Sequence, residues 1–286
     1  MSTLRRFAKF VRHLPWMERQ ERFWSLLRRP YHLALDVGGR GVKVRIGGKL
    51  LVRIPAEYAG APWEDYEPEA VAALAGWLAE HPTGRVLDVG CSIGILSAAA
   101  IFSGPAVEVV AFDSDLSSVA AAMRMCRHAR GERLQVVHGF LSNDPTELCS
   151  LAVAVSATKR ELARTGLGGE PGTTRFACIT DIHEDSAPAR RLDDLMAPEL
   201  ENGLDIRPTL LKCDVEGAEL LVLRGGANFL RKARPELLLS VHPPALPSYG
   251  HSTGDVEAFL RQMDYEVHCL AIDHEEHWWC EPKETL

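Results

Sequence analysis

Apolar positions recur along this chain with two periods, and together they divide it into alternating strands and helices. Short apolar runs bounded by turn residues predict buried strands over 86–89, 107–112, 134–137, 176–182, 209–213 and 266–272. Apolar residues at helical spacing predict helices over 70–80, 95–101, 116 to about 129, 220–232 and 255–263. Strands that alternate with helices in this way predict an α/β fold with a doubly wound, mostly parallel sheet. Ahead of that core, two β-rich runs, 42–46 and 49–54, flank Gly47-Gly48 and predict a hairpin. Earlier still, Leu4, Phe7, Ala8, Val11 and Leu14 keep helical spacing among Arg5, Arg6, Lys9 and Arg12, which predicts a basic helical arm over 1–30. The expected division is a helical arm, hairpin and covering helix over 1–84, then an α/β core over 85–286.

Composition narrows the function. A chain of 286 residues can hold one large α/β domain and a smaller appendage. A formal net charge of -7 argues against nucleic acid as the main partner. Seven cysteines stand singly with no Cys-x-x-Cys pair, which reads as reduced thiols in a cytoplasmic protein and neither a disulfide framework nor a zinc site. No apolar run approaches the roughly 20 residues of a membrane-spanning helix. The arm at 1–30 lacks the long apolar centre of a signal peptide. It fits either peripheral contact with an anionic membrane surface or packing on its own domain or on a second subunit in a homodimer; packing is the preferred reading.

Candidate chemistry starts at Val86-Leu87-Asp88-Val89-Gly90-Cys91-Ser92-Ile93-Gly94-Ile95-Leu96-Ser97, a strand that turns through Gly90–Gly94 into a helix. Glycines there let a ligand lie against the main chain, and the helix start offers unpaired N–H groups. A dinucleotide fingerprint needs a Gly-x-Gly-x-x-Gly string, whereas Ser92 holds the place of the middle glycine here. The pattern resembles motif I of the class I S-adenosylmethionine-dependent methyltransferases. That resemblance makes Asp88, Gly90, Cys91, Ser92 and Gly94 candidate cofactor residues in a Rossmann-like sheet. Asp113, with Ser114, stands at the tip of the second core strand, about 20 residues on, where an acid accepts hydrogen bonds from ribose hydroxyls. Asp115 is expected to cap the following helix. Leu141 and Ser142, in the turn after the third strand, are candidates for the adenine side. Glu67, at the start of the helix before motif I, is a candidate for facing the cofactor's ammonium group or serves as a favourable helix-start charge.

A second block places Asp214-Val215-Glu216-Gly217-Ala218-Glu219 at the end of the strand over 209–213. Carboxylates so close together should face a cleft or a cation, because burying them unpaired is costly. That string, with Val222-Leu223-Arg224-Gly225-Gly226-Ala227 and Arg234-Pro235-Glu236 through His242-Pro243, resembles the FkbM family of methyltransferases. Motif I, Leu192-Asp193-Asp194-Leu195 and Tyr66-Glu67 fit it in order, so the resemblance runs from about residue 64 to 243. It implies methyl transfer from S-adenosylmethionine, usually to a hydroxyl of a sugar, polyketide or other small metabolite. Where many members carry Glu-Pro at the second strand tip this chain has Asp113-Ser114, and where many carry an acid before His-Pro it has Ser240.

A hydroxyl must lose its proton as it is methylated, which asks for a base or a cation nearby. His242 is the first candidate base because of its near-neutral intrinsic pKa; Asp214 would orient the acceptor or take its proton, Glu216 stands beside them, and Glu219 is expected to make a structural bond. The cluster Asp273-His274-Glu275-Glu276-His277-Trp278-Trp279 could ligate a divalent metal together with His242 or Asp214. Strand alternation puts Glu275 and His277 on one face and His274 and Glu276 on the other, so the preferred reading is a polar hairpin tip without metal. Two rivals stand beside the methyltransferase reading: a nucleotide-dependent oxidoreductase, disfavoured by the missing third glycine, and a non-catalytic cofactor-binding or membrane-surface regulatory module.

Overall fold

The structure is a computed structural model that describes residues 41–104, 106–126, 133–144, 189–201 and 207–283. The arm expected over 1–30 and the strand expected over 176–182 lie outside these residues. Elements are numbered among the described residues.

The first unit is the hairpin of β1 (Val42–Ile46) and β2 (Leu50–Ile54), paired from Val42 with Ile54 to Ile46 with Leu50 around Gly47-Gly48. Its inward residues Val44, Ile46, Val52 and Ile54 are buried in the same apolar cluster as Val71 and Leu74 of α1 (Pro68–Glu80) and Ala98 to Ile101 of α2 (Ile95–Ser103).

The main sheet has seven strands, in the order β10 (Tyr265–Ile272), β11 (Glu276–Pro282), β9 (Glu236–Val241), β8 (Thr209–Asp214), β3 (Arg85–Val89), β4 (Glu108–Asp113) and β5 (Leu134–His138). The five strands from β9 to β5 are parallel; β11 runs antiparallel to both β9 and β10. Successive β4 and β5 lie to one side of β3, and β8 and β9 to the other, so the order reverses at β3 and β8. Ligands of such sheets bind at the carboxyl ends of the strands beside that reversal. The doubly wound, Rossmann-like class expected from the alternating pattern is the class observed.

The central parallel strands β3, β8 and β9 are buried on both faces, which is why their sequences read as mostly apolar runs. Val86, Val109, Ala111 and Leu210 pack into the cluster under α1, α2 and the hairpin. Leu87, Val89, Leu211, Cys213, Leu237 and Leu239 pack into a second cluster with Leu220, Leu223 and Leu230. Period-2 alternation therefore also fixes the side on which the polar strand residues emerge. Asp88, Lys212 and Asp214 fall on the α2 face.

Two helices differ from the expected spans. The single helix expected over 220–232 is two, α5 (Glu219–Gly225) and α6 (Ala227–Ala233). The break falls at the paired glycines, where Gly226 leaves the helix at φ -108° and ψ 19°, and the packing there admits only glycine: a Cβ on Gly225 would lie 2.2 Å from the Ser142 carbonyl oxygen, and one on Gly226 would lie 2.8 Å from Leu192. The cap of α6 comes from another helix, α4 (Leu192–Glu201), whose Asp193 accepts hydrogen bonds from the N–H groups of Phe229 at 2.8 Å and Asn228 at 3.2 Å. Removing a cap of this kind costs about 1 kcal/mol, so Asp193→Ala is expected to lower the midpoint of thermal unfolding, read by circular dichroism, without altering the sheet signal. The second difference is α3 (Leu116–Met125), expected to reach about residue 129. It ends at Cys126, which has left helical ψ at φ -89° and ψ 4°. Its start is as expected, with the Asp115 side chain accepting from the N–H groups of Ser117 and Ser118.

Candidate active site

The turn from β3 to α2 is built on backbone that a side chain would spoil. Gly90 has φ +76°, and a Cβ there would lie 1.7 Å from the Asp214 carbonyl oxygen; Gly94 has φ +77°, and its Cβ would lie 2.8 Å from Ala122. The first glycine thus lets the turn touch the tip of β8, and the second lets α2 start close against α3. Gly94 caps α2 without a side-chain hydrogen bond, which leaves the first N–H groups of the helix directed at the cleft. Between the glycines Cys91 is buried and Ser92 exposed.

Asp113 at the tip of β4 grips this turn: Oδ2 accepts from the Ser92 N–H at 2.7 Å and Oδ1 from the Asp115 N–H at 2.9 Å. Burial pushes its pKa up, against those two hydrogen bonds. Each carboxylate oxygen retains a second lone pair for a further donor. Ser114 beside it is exposed, and its carbonyl meets His138 Nε2 at 3.1 Å.

Asp88, 1% exposed, sits on the α2 face of β3 and pairs in register with Lys212 of β8. Its Oδ2 accepts from Ser97 Oγ at 2.5 Å, and Lys212 Nζ stands 3.2 Å from Oδ1. Lys212 also donates to the Gly90 carbonyl at 2.9 Å and lies 3.4 Å from Asp214 Oδ2. Burial opposes the lysine's charge, but Asp88 and Asp214 outweigh it and hold the ammonium well above its ordinary pKa. One buried cation therefore ties the glycine turn, the end of β3 and the tip of β8 together.

The acidic string follows directly. Asp214 ends β8, and burial raises its pKa against the pull of Lys212. Glu216 takes left-handed backbone, φ 55°, as do Ser92 at φ 50° and Glu67 at φ 36°. Such conformations are unfavourable for residues with side chains, and they gather at functional sites. Glu219, fully buried, accepts from the Gly217 N–H at 2.9 Å and from His242 Nδ1 at 2.8 Å.

His242 follows β9, so it stands beside the end of β8. Its Nε2 lies 2.6 Å from Glu275 Oε2, 3.7 Å from Asp214 Oδ1 and 4.0 Å from Glu216 Oε2. Burial works against its charge, yet the hydrogen bonds to Glu219 and Glu275 prevail and its pKa is pushed up to about 10. In this arrangement the imidazole is a cation with both N–H groups donating. Glu275 reaches it because β11 pairs antiparallel with β9, His277 opposite Ser240 and Glu276 opposite Val241. That register carries the β10–β11 tip over the carboxyl end of the sheet.

The candidates therefore separate into two groups. Gly90, Cys91, Ser92, Gly94, Asp88 and Asp113 converge on the β3–β4 end, and Asp214, Glu216 and His242 meet in the adjoining corner, with Glu67 within ligand distance of Glu275. Leu141 of β6 (Phe140–Leu141) and Ser142 are buried; β6 pairs with β7 (Ala189–Arg190), Leu141 joins the second core cluster, and the Ser142 backbone packs on Gly225. Within the tip, alternation behaves as expected: Glu275 and His277 turn inward, and His274 is 66% exposed. Sequence reasoning gave no role to Lys212. A lysine in the otherwise buried string Thr209-Leu-Leu-Lys-Cys-Asp, two residues before Asp214, is the signal that could have found it. Among the described residues the five cysteines are free thiols, and no helix is long and apolar enough to cross a membrane.

Comparison with solved structures finds limited likeness. A methyltransferase FkbM from Methylobacillus flagellatus KT is 17% identical, over 70% of this chain and 44% of that one, with a TM-score of 0.46. This chain therefore spans less than half of that protein's length. A TehB-like SAM-dependent methyltransferase from Corynebacterium glutamicum is 12% identical over 77% and 91% of the two chains, TM-score 0.38. Magnesium protoporphyrin IX methyltransferase from Synechocystis PCC 6803, with bound SAH, is 13% identical over 75% and 83%, TM-score 0.39. No curated protein matches the chain significantly. The methyltransferase FkbM domain model matches residues 88–267, from Asp88 at the end of β3 to Val267 in β10, taking in the glycine turn, the acidic string and His242. On that match over more than half of its length, the chain belongs to the FkbM family of methyltransferases.

Proposed function

We propose that the chain transfers a methyl group from S-adenosylmethionine to a hydroxyl of a small metabolite or glycan. The observation that carries this reading is the abutment of Gly90 on Asp214, bridged by Lys212. It makes the glycine cradle and the acidic corner one continuous surface, so a cofactor in the first stands beside an acceptor in the second. When bound, S-adenosylmethionine supplies a methyl group on a positively charged sulfur. The tight turn that Gly90 and Gly94 allow, the open start of α2 and the spare lone pairs of Asp113 all suit such a nucleoside.

The protein's own task is to align the acceptor oxygen and receive its proton. Asp214 is the proposed acceptor of that proton: burial makes its carboxylate more basic than usual, and Lys212 and the charged His242 hold it in place. His242, with both nitrogens engaged by Glu219 and Glu275, orients Asp214 and balances charge in the corner. Glu216, on the exposed side, faces the incoming hydroxyl.

Calorimetry of the full chain with S-adenosylhomocysteine in EDTA tests the reading first, and a saturable heat is expected, with none from NAD. Incubation with methyl-labelled cofactor and a panel of sugar and small-metabolite hydroxyls should then give labelled ether. Binding of NAD in place of the nucleoside would favour an oxidoreductase, and tight nucleoside binding with no labelled product from any hydroxyl would favour a regulatory module.

A further inference from the structure

Beside the acceptor corner lies a buried histidine whose outer nitrogen is unsatisfied. His277 is 1% exposed, and its Nδ1 meets Ser240 Oγ at 3.4 Å. Its Nε2, buried as well, makes no hydrogen bond. Leaving such a group unmatched is costly, and anchoring Nδ1 fixes the direction in which Nε2 points. It points at carboxylates: Glu275 Oε1 and Asp273 Oδ2 each stand 3.5 Å away.

Glu67 completes the set from the far side. One ligand atom each from Glu67, Glu275 and His277 lies within 4.8 Å of the others. Glu275 can serve both neighbours, because Oε2 is held by His242 at 2.6 Å while Oε1 faces His277. Donors that share a divalent ion at about 2.1 Å stand roughly 3.0–3.5 Å apart, which is the Glu275–His277 spacing. Charge points the same way, since Glu67, Asp214, Glu216, Glu219, Asp273 and Glu275 gather here against Lys212 and His242.

We propose that Glu67, Glu275 and His277 form a site for a divalent cation of the Mn2+ or Zn2+ class, with Asp273 at its rim. One imidazole and two carboxylates suit those ions. The cation fastens the start of α1 to the β10–β11 tip and takes no ligand from Asp214 or His242. This inference goes beyond the methyl-transfer reading and stands without it.

The full chain, stripped with EDTA and dialysed, is titrated with MnCl2 while free Mn2+ is followed by electron paramagnetic resonance. One saturable site per chain is expected, displaced by Zn2+, with a rise in the thermal midpoint on loading. Glu67→Gln and His277→Gln should each weaken Mn2+ binding roughly tenfold or more, and His268→Gln, exposed on β10 beside Glu266 and Glu281, should leave it unchanged. Should His277→Gln fail to fold by circular dichroism, Glu67→Gln at the half-buried start of α1 carries the comparison. The proposal is overturned if neither Mn2+ nor Zn2+ binds saturably, if Glu67→Gln leaves Mn2+ affinity unchanged, or if His268→Gln weakens it as much as Glu67→Gln does. Nucleoside binding measured in EDTA is independent of this result, so failure of one reading is distinguishable from failure of the other.

Discussion

Lys212→Met is expected to destabilise the folded protein by about 3–5 kcal/mol, the usual effect of removing one partner from a buried ion pair. Methionine fills a similar volume, so the loss is electrostatic: Asp88 keeps only Ser97, and Asp214 loses the ammonium 3.4 Å away. The Gly90 carbonyl loses its donor as well, so nucleoside binding should weaken together with stability. Urea unfolding checks the prediction, with the midpoint falling while the slope stays constant. Asp88→Asn in the same chain should recover part of the loss, because the uncompensated charge is then gone. A deficit of about 1 kcal/mol or less, the range of solvent-exposed pairs, would mean that water reaches Lys212.

The second large effect is on rate. Asp214→Asn preserves shape and leaves Lys212 paired with Asp88, so the fold should persist. If Asp214 takes the acceptor's proton, kcat falls about 10²–10⁴-fold, while the affinity for S-adenosylhomocysteine changes by less than about tenfold. Retained kcat with a large loss of nucleoside affinity would instead assign Asp214 to cofactor binding alone. The split between kcat and binding decides, since a merely structural role would depress both together.

Much of this architecture was legible because the parallel strands announce themselves. Residues 86–89 and 209–213 are apolar on both faces apart from Asp88, Thr209 and Lys212, as strands buried on both sides must largely be, and Gly90 and Gly94 mark a turn that tolerates no Cβ. The α5–α6 break was hidden for the opposite reason. Gly225 and Gly226 are compatible with a continuing helix, and only the tertiary contacts with Ser142 and Leu192 show why both positions need glycine. Alternation told which residues of the β10–β11 tip share a face, but the register of β11 on β9 decides where that face looks. That register is a long-range property, as is the Asp88–Lys212 pairing across β3 and β8. The pKa of His242 was equally out of reach: its intrinsic value suggests a neutral base, and two carboxylates from distant segments make it a cation.

The hairpin of β10 and β11 closes the described chain, yet Glu275 between its strands supplies the counter-charge at Nε2 of His242. A polypeptide emerging from the ribosome thus exposes its glycine cradle well before its acidic corner can reach electrical balance. Release of the β10–β11 hairpin from the exit tunnel, and its docking beside β9, is the event that completes the corner.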